Sequence, residues 1–264
     1  MNNKGDGNMA YIIQSAITKI ENNKKKYEGK IFDSTSCGKF KVIQFNNCQN
    51  VEIEFIDTKF KTITSAGHIR SGLIKDPFFP YLYGRGYIGE SHRQNTDDLT
   101  PFVFWKHMMD RCYKEGYSSK SYENVEVCKE WYNFTTFKKW FQKHYVESFE
   151  LDKDILQKGV KNKIYSPDTC VFLPKEINCA ITTHKNKYNL PNGISLSSNN
   201  KYDCKIHYKN TYINKRFDTL EEAIEFYNYN KSKIIESLIE KYKDKLENRA
   251  IVGLRNYYKV EETK

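Results

Sequence analysis

The stretch from Leu151 to Asn178 holds the side chains of this chain that are best suited to binding a metal ion. A short apolar segment ends in Asp152, Lys153 and Asp154, and a loop rich in Lys, Gly and Asn separates it from a second apolar segment that a proline terminates. This pattern predicts two strands followed by a helix that carries Asn178. Such a fold could bring a carboxylate from the first strand near the amide on the helix, and the oxygens of this pair could bind one hard divalent cation.

The order and spacing of these residues resemble the ββα-metal finger, also called the HNH finger, of nucleases. In that finger an acid and a base end the first strand, and the helix supplies a second metal ligand. The resemblance implies that Asp152 is the acidic ligand, that Lys153 stands at the position of the general base, and that Asn178 is the ligand on the helix. It also implies Mg²⁺ or Mn²⁺ as the cofactor.

The residue at the base position departs from the family pattern, in which it is a histidine. A lysine with an ordinary pKa of about 10.4 is protonated at neutral pH and cannot accept a proton. Several interpretations stay open. One is that burial or a neighbouring cation lowers the pKa of Lys153 enough for it to act as the base. Another is that Asp154 or a metal-bound hydroxide takes the role of the base. Otherwise the finger no longer cleaves, or the Asp-Lys-Asp run is only solvated charge on a surface hairpin.

The composition predicts a folded protein with a polyanionic partner. The chain has 264 residues, of which 39% are hydrophobic and 15% aromatic, so it can build real cores despite a mean hydropathy of −0.77. Its 43 Lys and Arg residues exceed its 33 Asp and Glu residues, which gives a formal net charge of +10. DNA or RNA is therefore the expected partner, and a membrane surface is the weaker alternative.

The pattern of elements predicts an α+β protein made of several modules. Residues 1–37 are predicted to form an N-terminal helix and lead-in, and residues 38–90 a small antiparallel β module. Residues 91–188 hold aromatic-rich helices and the ββα finger. Residues 189–264 are predicted to form three strands that a long helix covers on one side.

The last of these modules is predicted to bind DNA with the side of its sheet that the helix leaves open. Apolar residues alternate with polar ones along the strands, and Thr219 with Glu222 makes a capping box at the start of the helix. A basic ribbon of two or three strands can enter the major groove of DNA. The predicted DNA contacts in and beside this module are Lys187, Lys201, Lys205, His207, Lys209, Tyr212, Asn214 and Arg216.

A glycine-rich segment from Gly67 to Gly89 is a second candidate for DNA contact. It interleaves aromatic rings with basic side chains, among them Arg70 and Arg85. Rings and cations in this arrangement suit nucleic acid. A connector between domains has the same composition, so the sequence leaves both interpretations open.

Neither a membrane anchor nor a metal-binding cysteine motif is expected. The apolar part of the N-terminus, from Met9 to Ile13, is too short for a signal peptide or a membrane span, which favours a cytoplasmic protein. The seven cysteines are scattered, and none forms a Cys-x-x-Cys pair. Free thiols fit this spacing better than disulfides or a structural zinc site.

The C-terminal module, from about Leu190 to Lys245, resembles APETALA-type (ethylene-response-factor-like) DNA-binding domains. The resemblance is carried by Asn192-Gly193-Ile194, by the strand pattern, and by the run from Phe217 to Ala223. Such domains occur beside HNH fingers in phage-borne homing-type endonucleases, and the middle of this chain resembles those proteins too. The resemblance implies a metal-dependent DNA endonuclease or nickase in the host cytoplasm. The alternative is a DNA-binding regulator or blocking protein whose finger is inactive.

Overall fold

The computed structural model describes residues 4–90, 98–116, 122, 124–182, 190–209 and 211–258. The chain clusters into two compact units, one made of Met1–Leu99 with Lys129–Phe137 and the other of Thr100–Cys128 with Lys138–Lys264. The fold is α+β and consists of several small modules, which confirms the predicted fold class. No helix in the described part of the chain combines the length and the apolar composition needed to span a bilayer.

The first unit is built around a four-stranded antiparallel sheet in the order β1-β2-β3-β4. Its elements are α1 (Lys4–Tyr27), β1 (Ile31–Asp33), β2 (Lys39–Asn47), β3 (Asn50–Phe55), β4 (Lys61–Thr64) and the short helix α2 (Ala66–Ser71). Every second residue of β3 is buried, as a strand with one covered face requires. The end of α1 and the inner face of the sheet share one core, which includes Tyr27, Phe40, Val42, Phe45, Val51, Ile53, Phe55 and Ile69.

Residues 129–137 complete the first unit, although they lie in the segment that the sequence assigns to the finger. Asn133 forms a parallel bridge with Tyr87. The N–H of Phe134 donates to the Tyr87 carbonyl, and the N–H of Tyr87 donates to the Tyr132 carbonyl, both at 2.9 Å. The boundaries of the two units therefore differ from those of the four predicted segments, because these pairings join residues that are far apart in sequence.

The second unit consists of small sheets and helices that follow one another along the chain. The strand β5 pairs with β7 in parallel, β6 pairs with β8 in antiparallel, and β11, β10 and β9 form an antiparallel sheet in that order. The elements are α3 (Thr100–Tyr113), β5 (Glu126–Val127), α4 (Phe134–His144, whose first turn belongs to the first unit), β6 (Phe149–Asp152), β7 (Ile164–Tyr165), β8 (Val171–Pro174), α5 (Lys175–Ile181), β9 (Ile194–Leu196), β10 (Tyr202–Tyr208), β11 (Thr211–Phe217), α6 (Leu220–Tyr242) and α7 (Asn248–Tyr257).

Aromatic side chains of α4 support the hairpin formed by β6 and β8. The ring of Phe172 on β8 lies 5.5 Å from the ring of Trp140 and 5.4 Å from the ring of Phe141. All three rings are buried. The aromatic stripe predicted on this helix is therefore part of the core beneath the hairpin, and it packs against β8, the partner of the strand that ends in Asp152.

Candidate functional site

The predicted hairpin followed by a helix is present in the second unit. Strand β6 pairs with β8 so that Asp152 lies opposite Val171, and α5 begins directly after Pro174. Proline has no N–H to continue the ladder, and it is tolerated at a strand end beside a helix start. This ββα unit places Asp152 at the end of its first strand and Asn178 on its helix, as the sequence predicts.

Asp152 is held by the turn that it begins. Its side chain is buried, and its Oδ1 accepts hydrogen bonds from the N–H groups of Asp154 at 2.9 Å and Ile155 at 2.8 Å. Burial raises the pKa of Asp152 to about 6, against the effect of these two N–H donors. None of the hydrogen bonds found among the described residues goes to Oδ2, so this oxygen is the one available to an external cation.

Lys153 is a buried counterion in this structure. Its residue surface is 5% exposed, and its Nζ donates to Oδ1 and Oδ2 of Asp154 at 3.1 and 2.9 Å. The same nitrogen lies 4.8 Å from the ring centre of Tyr122 and 5.7 Å from that of Tyr165. Carboxylate oxygens and ring faces are partners of a charged ammonium, so the contacts are those of a proton donor and not of a general base.

Asp154 is neutralised by two lysines. Lys163, across the loop, also donates to its Oδ1, at 2.5 Å. Burial alone would raise the pKa of Asp154, but the ammonium groups of Lys153 and Lys163 outweigh it and hold that pKa below its ordinary value. A carboxylate with a lowered pKa is a weak proton acceptor at neutral pH. The geometry therefore gives Asp154 the role of an anchor for two ammonium groups.

Gln157 fastens the loop that carries these charges. Its Nε2 donates to the carbonyls of Lys153 and Ile164, and its Oε1 accepts from the Ile164 N–H at 3.0 Å. The side chain is buried and makes all of these bonds to backbone groups. Sequence analysis singled out neither Gln157 nor Lys163 nor Tyr122, because no local spacing shows that they meet Lys153 or its loop.

Asn178 contacts a different carboxylate from the one predicted. Its Nδ2 donates to Oε2 of Glu150 at 2.7 Å. Glu150 and Asp152 alternate with Leu151 along β6, so both side chains leave the same face of the strand. The amide nitrogen is thus committed to Glu150, and the amide oxygen is the atom of Asn178 that could serve as a metal ligand.

The ligand oxygens at this hairpin suit Mg²⁺ only if a phosphate shares the cation with them. Across the described residues, no group of three or more His, Cys, Asp and Glu side chains is arranged to hold a metal ion. Mg²⁺ commonly takes one or two protein carboxylates and fills its remaining positions with water and substrate phosphate oxygens. Oδ2 of Asp152 and the amide oxygen of Asn178 suit that mode of binding.

Wild type should become less stable as the pH rises, and Asp152→Asn should not. A carboxyl with a pKa of 3.8 when unfolded and about 6 when folded binds more protons in the folded state between these values. Wild type should therefore lose about 3 kcal/mol of unfolding free energy across this window. Asparagine keeps the Oδ1 acceptor but does not ionise. Urea unfolding in EDTA at pH about 4 and about 7.5 measures this, and equal losses in both proteins would contradict the assignment to Asp152.

Glu176, at the start of α5, binds four donors from the C-terminal module. The hydroxyls of Tyr208 and Tyr242 each donate a hydrogen bond to its carboxylate at 2.7 Å, and Lys241 donates one at 2.6 Å. Lys209 forms an ion pair with the same carboxylate. These donors hold the pKa of Glu176 well below its usual range. Lys209, a predicted DNA contact, thus pairs with a carboxylate of the protein while its side chain is 59% exposed. Through Glu176, α5 is tied to both β10 and α6.

The sheet of β9, β10 and β11 has one face covered by α6 and one open face. Cys204 and Ile206 are buried on the covered side, together with Tyr227 of the helix. The strand register places the alternate residues opposite one another on the other side. We call this side the open sheet face, and it consists of Ser195, Asp203, Lys205, His207, Tyr212, Asn214 and Arg216. The predicted outward orientation of Tyr212, Asn214 and Arg216 is confirmed.

The charges on and beside the open sheet face are partly compensated. Arg216 pairs with Asp203 through two hydrogen bonds, and Lys201 pairs with Asp218 at 2.7 Å. Lys205 is exposed and forms no ion pair among the described residues, although its charge also acts on Asp203. It therefore contributes the positive charge on this face that a phosphate could neutralise. The pairing of Asp203 with Arg216 was not among the sequence predictions, although the two residues are equally far from the predicted turn.

The remaining predicted DNA contacts lie elsewhere. His207 faces Tyr212 across the open sheet face, with 6.4 Å between ring centres. Arg70 and Arg85 are exposed in the first unit, where they donate to the hydroxyls of Tyr27 and Tyr132. Those two arginines belong to another compact unit than the sheet. Lys187 lies outside the described residues.

Comparison of the chain with family models, with curated proteins and with solved structures found no match in any of the three.

Proposed function

We propose that this protein binds double-stranded DNA through the open sheet face. The observation that carries the proposal is the sorting of residues across this sheet: the buried side chains of Cys204 and Ile206 lie under α6, and Lys205, His207, Tyr212, Asn214 and Arg216 all lie on the exposed side. These five are hydrogen-bonding or aromatic side chains of the kinds that contact bases and phosphates.

The dimensions of the sheet suit the major groove. The two long strands β10 and β11 are seven residues each, and neighbouring strands lie about 4.8 Å apart. A two-stranded ribbon of this width enters a groove of about 12 Å. The chain's net charge of +10 supports the same partner, since counterion release from DNA favours a basic protein.

Lys205→Ala should weaken binding to duplex DNA and should reduce its salt dependence by about one phosphate contact. Lys205 is exposed and unpaired within the described chain, so its removal leaves the fold intact. Fluorescence anisotropy at several salt concentrations gives the affinity and the slope of log K against log salt. The matched control is Lys243→Ala, which removes an exposed charge that pairs with Glu240 at the end of α6. A flat salt response in wild type would contradict the proposal.

Metal-dependent DNA cleavage by the ββα unit, as in an HNH-like endonuclease or nickase, is a second candidate function. It is favoured by Asp152, whose buried carboxyl has a raised pKa and whose Oδ2 remains available. A Mg²⁺ held by Asp152 and Asn178 against DNA would supply Lewis-acid stabilisation of charge on a phosphate. Within the protein itself, Asp152 positions the turn and Lys153 with Lys163 places positive charge beside it.

The pairing of Lys153 with Asp154 favours the other alternative, a DNA-binding regulator or blocking protein that does not cleave. No imidazole stands at the base position, and the ammonium of Lys153 is directed to Asp154 and two tyrosine rings. A protein of this kind would use the ββα unit as a support for α5 and, through Glu176, for the sheet.

A nicking assay on supercoiled DNA with Mg²⁺ or Mn²⁺ separates these two alternatives. If the unit cleaves, Asp152→Asn and Asn178→Ala should each lower nicking by at least about 100-fold while DNA affinity stays nearly unchanged. Asp168→Asn, which alters an exposed carboxylate in the same hairpin, is the control and should leave nicking unchanged. Wild-type protein that binds DNA and shows no nicking with either metal would leave the regulator as the function.

A further inference from the structure

We infer that Arg216, held by Asp203, selects a G·C base pair in the major groove; the inference rests on the proposed DNA binding. Asp203 and Arg216 lie directly opposite each other on β10 and β11. Nε of Arg216 donates to Oδ1 of Asp203 at 2.6 Å, and Nη2 donates to Oδ2 at 3.2 Å. This contact uses the side edge of the guanidinium and both carboxylate oxygens.

The contact leaves the far edge of the guanidinium available. A guanidinium has five N–H groups in one plane, and the pair with Asp203 uses one on Nε and one on Nη2. The two on Nη1 and the second on Nη2 have no hydrogen-bond partner among the described residues. One N–H group of Nη1 and one of Nη2 form a forked donor, and the side chain of Arg216 is 52% exposed. That fork matches O6 and N7 of guanine in the major groove.

The charge balance of the pair argues for base recognition over phosphate binding. The carboxylate of Asp203 compensates most of the charge of Arg216, so the pair attracts a phosphate less than a free arginine does. The same carboxylate fixes the guanidinium plane, which lowers the entropy lost when a base is bound. Asp203 is therefore a positioning residue, and Arg216 is the residue that contacts the base.

The register of the sheet places other potential base contacts at matching intervals. Asn214 lies opposite Lys205, two residues along the strand from the Arg216 pair, and Tyr212 lies opposite His207 two residues further on. Two residues of a strand cover about 7 Å, which is two base-pair steps of about 3.4 Å. Arg216 is at the end of this series, so its base pair should lie at one end of the recognised sequence.

The test is a binding selection from a random duplex library, carried out with wild type and with Arg216→Lys. Wild type should select a motif with guanine at one terminal position. Arg216→Lys keeps the positive charge but cannot make the planar fork, so preference for that guanine should fall roughly 10- to 100-fold. The salt slope and the preferences at the other positions should not change.

Three further measurements assign the effect to the named atoms. Replacing the selected guanine with 7-deazaguanine, which lacks N7, should weaken wild type about 10-fold and should leave Arg216→Lys unaffected. Asp203→Asn should reduce the guanine preference without lowering the salt slope, and Asp203→Glu should restore part of that preference. Lys205→Ala, which removes the exposed lysine opposite Asn214, should lower the salt slope by about one and leave the preference for that guanine intact.

The outcomes distinguish this inference from the function on which it rests. Failure of wild type to bind any duplex would overturn the proposed DNA binding. Duplex binding without sequence preference, or a motif that Arg216→Lys leaves unchanged, would overturn the role of Arg216 and reduce its pair with Asp203 to a surface ion pair. A guanine preference that falls only in the Arg216 and Asp203 variants is the result that supports it.

Discussion

Lys153→Ala should lower the free energy of unfolding by on the order of 2 to 3 kcal/mol, since it removes the buried partner of an ion pair whose carboxylate, Asp154, is 38% exposed. The ammonium is 5% exposed and makes two hydrogen bonds to Asp154 beneath the ring of Tyr122. Its loss leaves the carboxylates of Asp152 and Asp154 close together with less compensation. Lys163 still pairs with Asp154, so the effect should lie at the lower end for buried pairs.

Lys163→Ala is the matched control for this change. Lys163 contacts the same carboxylate, but its side chain is 26% exposed, so its removal should cost less than about 1 kcal/mol. Urea unfolding of the two variants at neutral pH gives the comparison. If both variants lose less than about 1 kcal/mol, Lys153 is not a structural counterion. Its burial would then have to be explained by chemistry that its ammonium performs.

The sequence predicts those features that depend on neighbours along the chain. Two apolar segments and Pro174 predict the ββα unit, and the alternation from Tyr202 to Phe217 predicts which side chains α6 covers. Both patterns are local, because a strand alternates its side chains between two faces and a proline ends a ladder wherever it stands.

The contacts that decide what the candidate site can do join residues far apart in sequence, so no local pattern predicts them. Asn178 meets Glu150, which lies 28 positions earlier, and Glu176 meets Tyr242, which lies 66 positions later. Lys153 is indistinguishable in sequence from a solvated surface lysine until Tyr122 and Tyr165 cover it. Its chemical role follows from that burial and not from its position in a motif.

Gly193→Ala should destabilise the C-terminal module by about 2–5 kcal/mol and abolish DNA binding with it. Gly193 has a φ of +76°, in the left-handed region, and a Cβ there would overlap the ring of Tyr227 and lie 2.8 Å from the carbonyl oxygen of Lys205. Tyr227 is buried where α6 packs on the sheet, so it cannot move aside without opening that core. The left-handed backbone and the lack of space for a Cβ thus explain why the Asn192-Gly193-Ile194 run has glycine at its centre.

Gly159→Ala separates the steric clash at Gly193 from backbone strain. Gly159 lies in the same unit and has a φ of +79°, but nothing within 4 Å would meet its Cβ. Its replacement should cost only about 1–2 kcal/mol, the strain of a left-handed backbone. Thermal unfolding and DNA anisotropy of the two variants measure the difference. Tyr227 and the open sheet face lie on opposite sides of the same strands. A larger loss of stability and DNA affinity in Gly193→Ala than in Gly159→Ala would show that the packing under α6 maintains the open sheet face for DNA binding. Equal losses would show that it does not.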